Sequence, residues 1–160
     1  MLRELIAEEF GLARPVNFLR DPLWWLAATA GLAVAAGLFV LLPAEFAAAT
    51  PRGAPQWVSI VLWQPAVEEI AFRGLLQGRL LRTRWARTGL MGISAANAVT
   101  SVAFTAIHFV HHSPLWAASV FPPSLVFGWL RERHRNTWAP MTMHMLYNLA
   151  FFTAAWWAAG

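Results

Sequence analysis

Apolar stretches about as long as a membrane-crossing helix alternate along this chain with short segments rich in arginine and proline. Residues 23–42 carry no charge and form the clearest span. Pro43, Pro51, Gly53 and Pro55 then mark a loop. A second apolar segment runs from Trp57 to about Leu81, with Pro65 expected to bend or restart its helix just ahead of Glu68. The third runs from about Gly89 to Val110, the fourth from Pro114 to Leu130 with a kink at Pro122-Pro123, and the fifth from about Thr137 to Ala159. Ahead of these, residues 1–20 place Leu2, Leu5, Ile6 and Phe10 on one helical stripe and Arg3, Glu4, Glu8 and Glu9 opposite. That pattern predicts an interfacial amphipathic helix. It does not predict a signal peptide, because no basic segment leads into a short apolar core with a small-residue cleavage site. The fold expected is all-α, a polytopic membrane bundle of about five transmembrane helices forming a single domain over residues 1–160.

Composition agrees with that picture. The chain is 58% hydrophobic and only 12% charged, with mean hydropathy +0.48, too apolar for an ordinary soluble domain. It has no cysteine, which removes disulfides, thiolate nucleophiles and cysteine metal sites. It also has no lysine, so all 12 basic residues are arginine. These arginines fall between apolar segments and not on one soluble face, which argues for membrane topology and against nucleic acid as a partner. With a cytoplasmic N-terminus, the inside segments hold Arg3, Arg14, Arg20, Arg79, Arg82, Arg84, Arg87, Arg131, Arg133 and Arg135, or 10 of the 12. Arg52 lies outside and Arg73 within a span, so the C-terminus is expected outside. Trp24, Trp25, Trp57, Trp85, Trp138, Trp156 and Trp157 lie near span ends, where amphipathic rings favour the interface.

The second span contains what a bilayer should reject. Val67-Glu68-Glu69-Ile70-Ala71-Phe72-Arg73-Gly74 puts two carboxylates and a guanidinium into an apolar run. Each such group costs at least roughly 2.5–3.5 kcal/mol at mid-bilayer, which marks a functional site. Glu69 and Arg73 are four apart with the acid first, the favoured order for a helical ion pair. Glu68 lies about 100° around the helix, so Arg73 can neutralise one carboxylate and leave the other facing a cavity. On the third span His108 follows Phe104 by one turn, and on the fifth His144 precedes Asn148 by one turn. A carboxylate, imidazoles and an amide donor are the groups that water activation needs. Structural readings compete: Glu69–Arg73 as an architectural ion pair, and His108 as a helix–helix hydrogen bond. His111 and His112 read as interfacial, His134 as solvated, and Asn97 with Ser94, Thr100 and Ser101 as interhelical glue.

Glu68-Glu69-x-x-x-Arg73-Gly74, Phe104-x-x-x-His108 and His144-x-x-x-Asn148, in that order on three successive apolar segments, resemble the signature of the CPBP family of intramembrane glutamic endopeptidases, the CAAX-processing and Abi-type proteases. The resemblance covers about residues 57–152, the expected catalytic core. In size the chain is also similar to small bacterial members that process C-terminal sorting tags. The resemblance implies that Glu68 and His108 activate a water for attack on a peptide carbonyl, with no metal or other cofactor. It implies further that His144 and Asn148 stabilise the oxyanion, and that Glu69, Arg73 and Phe104 support the site. The substrate implied is a membrane-associated protein or peptide cut near its C-terminus, and the arginine-only, alanine- and tryptophan-rich composition suggests a bacterial source and hence the inner membrane. Its identity, and the oligomeric state of the enzyme, are left open.

Two rivals come from other classes. Glu68 or Glu69 with His108 and His144 would make an acceptable zinc shell, although no His-Glu-x-x-His motif is present. A non-catalytic membrane scaffold or immunity protein would use the same residues to bind a partner. Depth poses a separate question. At ~1.5 Å per residue Glu68 lies ~16 Å from Arg79 and His144 ~14 Å from Arg135, but His108 lies ~31 Å from Arg87. Either residues 88–95 are not part of a straight span, or the third helix tilts, or the site opens outward.

Overall fold

The computed structural model describes residues 2–13, 17–41 and 50–159. Arg14, Leu42 and Pro43, which entered the topology and loop expectations, lie outside the described residues. The chain is mostly helical, as expected. α1 is Leu2–Glu9 and α2 is Pro22–Leu41. α3 (54–80) is a run of abutting pieces, α-helical over Ala54–Val58, Gln64–Glu69 and Gly78–Leu80 and π-helical over Ser59–Trp63 and Ile70–Gln77. A two-stranded antiparallel hairpin follows, β1 (Gly89–Leu90) with β2 (Ile93–Ser94). Then come α4 (Ala95–His108), α5 (Pro114–Ser119), α6 (Phe121–His134) and α7 (Trp138–Ala159). These elements form two compact units, one from Met1–Val16 and Glu68–Pro140, the other from Asn17–Val67 and Met141–Gly160.

In the first unit several boundaries differ from expectation for local reasons. The interfacial helix is helical only to Glu9, because Gly11 turns the chain at φ +67°. The third segment is not helical from Gly89. Residues 89–94 form the hairpin, and α4 starts at Ala95, where the Ser94 hydroxyl accepts the Asn97 N–H at 3.0 Å. His108 is therefore ~20 Å along its helix, and not the ~31 Å counted from Arg87. The fourth segment breaks where a kink was expected. α5 ends at Ser119, and Pro122-Pro123 fall in the first turn of α6, where a missing N–H costs nothing. α4 packs most extensively on α6 and also on the π piece Ile70–Gln77.

The interior of this unit is strongly polar. Arg73, Gln77, Glu69, Asn97 and Thr100 are among its largest fully buried side chains, whereas Leu90, Met91, Val102, Ile107 and Leu115 are exposed. A soluble domain partitions these residues the other way. Asn97 Nδ2 donates to the Leu125 carbonyl at 2.9 Å and Asn97 Oδ1 accepts the Ser101 hydroxyl at 3.1 Å. The Asn97–Leu125 bond has the interhelical role expected of this group, whereas the Ser101 bond stays within α4 and the Thr100 hydroxyl makes no hydrogen bond among the described residues. At the periphery Arg79 and Arg82 pair with Glu9, and they hold its carboxyl below the usual range.

In the second unit, α2 is the one helix among the described residues long and apolar enough to cross a membrane. Phe18, Trp24 and Trp25 cluster at its start, and Trp25 Nε1 donates to the Leu19 carbonyl at 2.8 Å. This suits an interface, where a ring needs one apolar and one polar side. The Tyr147 hydroxyl donates to the Ala27 carbonyl at 2.7 Å, its ring lying where any side chain at Gly31 would sit. Thr50 closes on the Ala155 carbonyl at 3.0 Å. Pro65 leaves the Val61 carbonyl without its α-helical donor, and the preceding piece Ser59–Trp63 is wound as a π-helix. The restart expected before Glu68 is there.

Candidate active site

Glu68 and Glu69 close the α-helical piece Gln64–Glu69, and the winding widens to π from Ile70. Such widenings recur at functional sites. The two carboxylates differ in environment. Glu69 is fully buried, its Oε2 3.4 Å from Arg73 Nε, with both side chains at 0% exposure. Glu68 is half-buried.

Arg73 is held by groups that the sequence did not single out. Its Nη2 donates to the Ser124 hydroxyl at 2.8 Å and to the Ser124 carbonyl at 3.1 Å. Ser124 sits in the first turn of α6. Its sequence signal is slight: a small polar residue after two prolines in an apolar segment. One turn beyond Arg73, buried Gln77 donates to the Gly128 carbonyl at 3.0 Å and to Glu132 at 2.8 Å. Glu132 also accepts the Ser94 hydroxyl at 2.6 Å. Arg131 Nε donates to the Arg73 carbonyl at 3.1 Å. Burial lowers the Arg131 pKa, and Glu132 partly offsets this. The polar face of α3 therefore extends through Gln77, and α6 supplies its partners.

Aromatic contacts lead from the ion pair to the histidine. The Arg73 guanidinium lies 5.3 Å from the centre of the Phe104 ring, within cation–π range. Phe72 meets Phe104 edge to face at 5.1 Å. Phe104 in turn lies 4.6 Å from His108, ring centre to ring centre. His108 Nδ1 is 2.8 Å from the Phe104 carbonyl oxygen. A carbonyl can only accept, so Nδ1 carries the proton and donates it. In the neutral ring Nε2 then keeps its lone pair. Beyond His108 the ring of His112 stacks at 5.9 Å, followed by Trp116 at 6.2 Å. His112 is exposed, as expected for an interfacial residue, but His134 is half-buried where a fully solvated side chain was expected.

The structure thus links Glu69, Arg73, Phe104 and His108 in one chain of contacts, with Glu68 adjoining. His144 and Asn148 belong to the other unit. His144 is buried, and Asn148, one turn on, donates Nδ2 to the Ile60 carbonyl at 2.8 Å. Among the described residues no three of His, Asp and Glu are grouped to hold a metal ion. Chemically, the first unit offers an imidazole oriented by its Nδ1–H bond to a backbone carbonyl, and two adjacent carboxylates, one fully buried against Arg73 and one half-buried.

Residues 50–150 match the sequence profile of the family described as Rce1-like, type II CAAX prenyl endopeptidase Rce1-like. No curated protein and no solved structure matches the chain significantly.

Proposed function

Because the chain belongs to the type II CAAX prenyl endopeptidase Rce1-like family, a family of integral membrane proteases, we propose that it cleaves a membrane-associated protein near its C-terminus, using Glu68 and His108 to activate water. Glu68 takes one proton from the water, whose other O–H is oriented by the Nε2 lone pair of His108, as the water oxygen bonds to the scissile carbonyl carbon. His144 and Asn148 donate hydrogen bonds to the oxyanion. Collapse breaks the C–N bond, and the leaving amine takes up the proton. Neither a covalent intermediate nor a metal enters this scheme.

The observation that carries the reading is the fixed state of His108, whose Nδ1–H is committed to the Phe104 carbonyl. Water activation needs an oriented acceptor. The burial of Glu69 against Arg73 supports Glu68 as the working carboxylate and Glu69 as a positioning residue. The chain would cross a bacterial inner membrane five times, N-terminus in and C-terminus out.

The test begins with C-terminal proteomics of membranes from a strain lacking the protein, which identifies the accumulated precursor. The purified protein is then assayed on a peptide from that precursor. Glu68→Gln should remove turnover while leaving the protein folded. Full turnover in that variant would overturn the assignment, and loss of activity on metal chelation would favour the zinc reading.

A further inference from the structure

We propose that the hairpin tip Leu90-Met91-Gly92, with Trp85, Arg84 and Arg87 beside it in the chain, docks into the headgroup layer of an anionic phospholipid leaflet. The inference rests on the membrane location and not on the catalytic assignments.

The backbone is built against local preference. Leu90 pairs with Ile93 across a two-residue loop, and both loop residues have positive φ, Met91 at 56° and Gly92 at 81°. Loops of this kind favour Asn-Gly or Asp-Gly, because a left-handed backbone is costly for other side chains and a polar tip is solvated in water. Gly92 fits. Met91 takes the strained position with a long apolar side chain that is 92% exposed, next to Leu90 at 79%. Trp85 is 55% exposed, and the 3₁₀ turn Trp85–Arg87 packs on α4. Arg84 and Arg87 are exposed as well. Residues 84–92 therefore combine exposed apolar side chains at the hairpin, an exposed indole and two exposed arginines, of which Arg87 donates Nε to the Leu81 carbonyl at 2.6 Å.

That combination selects one occupant. Leucine and methionine side chains enter the acyl boundary, tryptophan prefers the headgroup level, and arginine pairs with phosphate. Each arginine held near an anionic surface contributes about fivefold in partitioning. Docking the hairpin would also fix where α4 leaves the interface, because Ala95 follows β2 directly.

The absence of cysteine makes the test clean. Met91→Cys is labelled with the environment-sensitive fluorophore NBD and reconstituted in phosphatidylcholine vesicles with or without about one third phosphatidylglycerol. Leu90→Cys, on extended backbone, gives the same readout if position 91 does not tolerate the change. We expect iodide quenching at least about threefold weaker in the anionic vesicles, together with quenching by lipids carrying a nitroxide near the headgroup. Arg84→Gln/Arg87→Gln should remove the difference between vesicles. Equal iodide access in both vesicle types would overturn the proposal. So would shielding from iodide without lipid quenching, which would mean a protein partner or a second copy covers the tip, and so would shielding that ignores both lipid charge and the two arginines.

Discussion

Glu69→Gln is the substitution whose cost follows most directly from the structure. The Glu69–Arg73 pair is fully buried at 3.4 Å, so removing its negative charge strands a guanidinium away from water. Breaking such a pair costs about 3–5 kcal/mol. Arg73 keeps its two hydrogen bonds to Ser124 and its contact with Phe104, which places the expected loss near the low end, about 3 kcal/mol. Glu68→Gln, at a half-buried position, should cost under about 1 kcal/mol. The double variant Glu69→Leu/Arg73→Met removes both charges, and part of the stability should return, because buried pairs seldom outperform apolar residues of similar size. Unfolding in mixed micelles, followed by steric trapping, measures the wild type, the two Gln variants, the double variant and its singles Glu69→Leu and Arg73→Met. Equal costs for Glu68→Gln and Glu69→Gln, or a double variant as weak as the sum of its singles, would refute the assignment of Arg73 to Glu69.

Two further outcomes are expected. Reporter fusions after Arg87 and Arg135 should read cytoplasm and fusions near Gly53 and at Gly160 the outside, with a cytoplasmic C-terminus contradicting the five-span arrangement. By NMR of labelled imidazoles, His112 should titrate below the ordinary histidine value near 6.5, first through the partial loss of hydration that its ring neighbours impose on an otherwise exposed side chain and then through repulsion from His108 and His111. Because its folded pKa is the lower one, its contribution to stability is intact above the unfolded value and declines as pH falls toward the folded one. His108→Gln should move the His112 midpoint up without fully restoring it, and an unchanged midpoint would show that the stacked rings are not coupled.

Hydropathy located the helices because apolar length survives any detail of packing; α2, α3 and α7 fall within a few residues of the expected spans. It missed the hairpin because Gly89, Leu90, Met91 and Ile93 are as apolar as a helix, and only Gly92 hinted at positive φ. Removing those residues from the third span also cuts the excess depth of His108 from ~15 Å to ~5 Å. The candidate site residues stood out as ionisable groups in the wrong solvent, and helical spacing gave the Glu69–Arg73 and Phe104–His108 contacts directly. Ser124, Gln77 and Glu132 did not, since their roles depend on α6 packing beside α3, a contact about 50 residues apart in sequence that no local pattern encodes.

The central claim is that Glu68, His108, His144 and Asn148 serve one reaction, and a mutant cycle on the precursor peptide tests it most directly. Single-turnover rates are measured for the wild type, His108→Ala, His144→Ala and the double variant, with Asn148→Ala alongside. Groups that act as a unit are strongly non-additive. The double variant should therefore retain about the same residual rate as either single, and Asn148→Ala should lose roughly 10²–10³ in rate as an oxyanion donor. Near-normal turnover in His108→Ala, or losses that simply multiply in the double variant, would contradict a shared site.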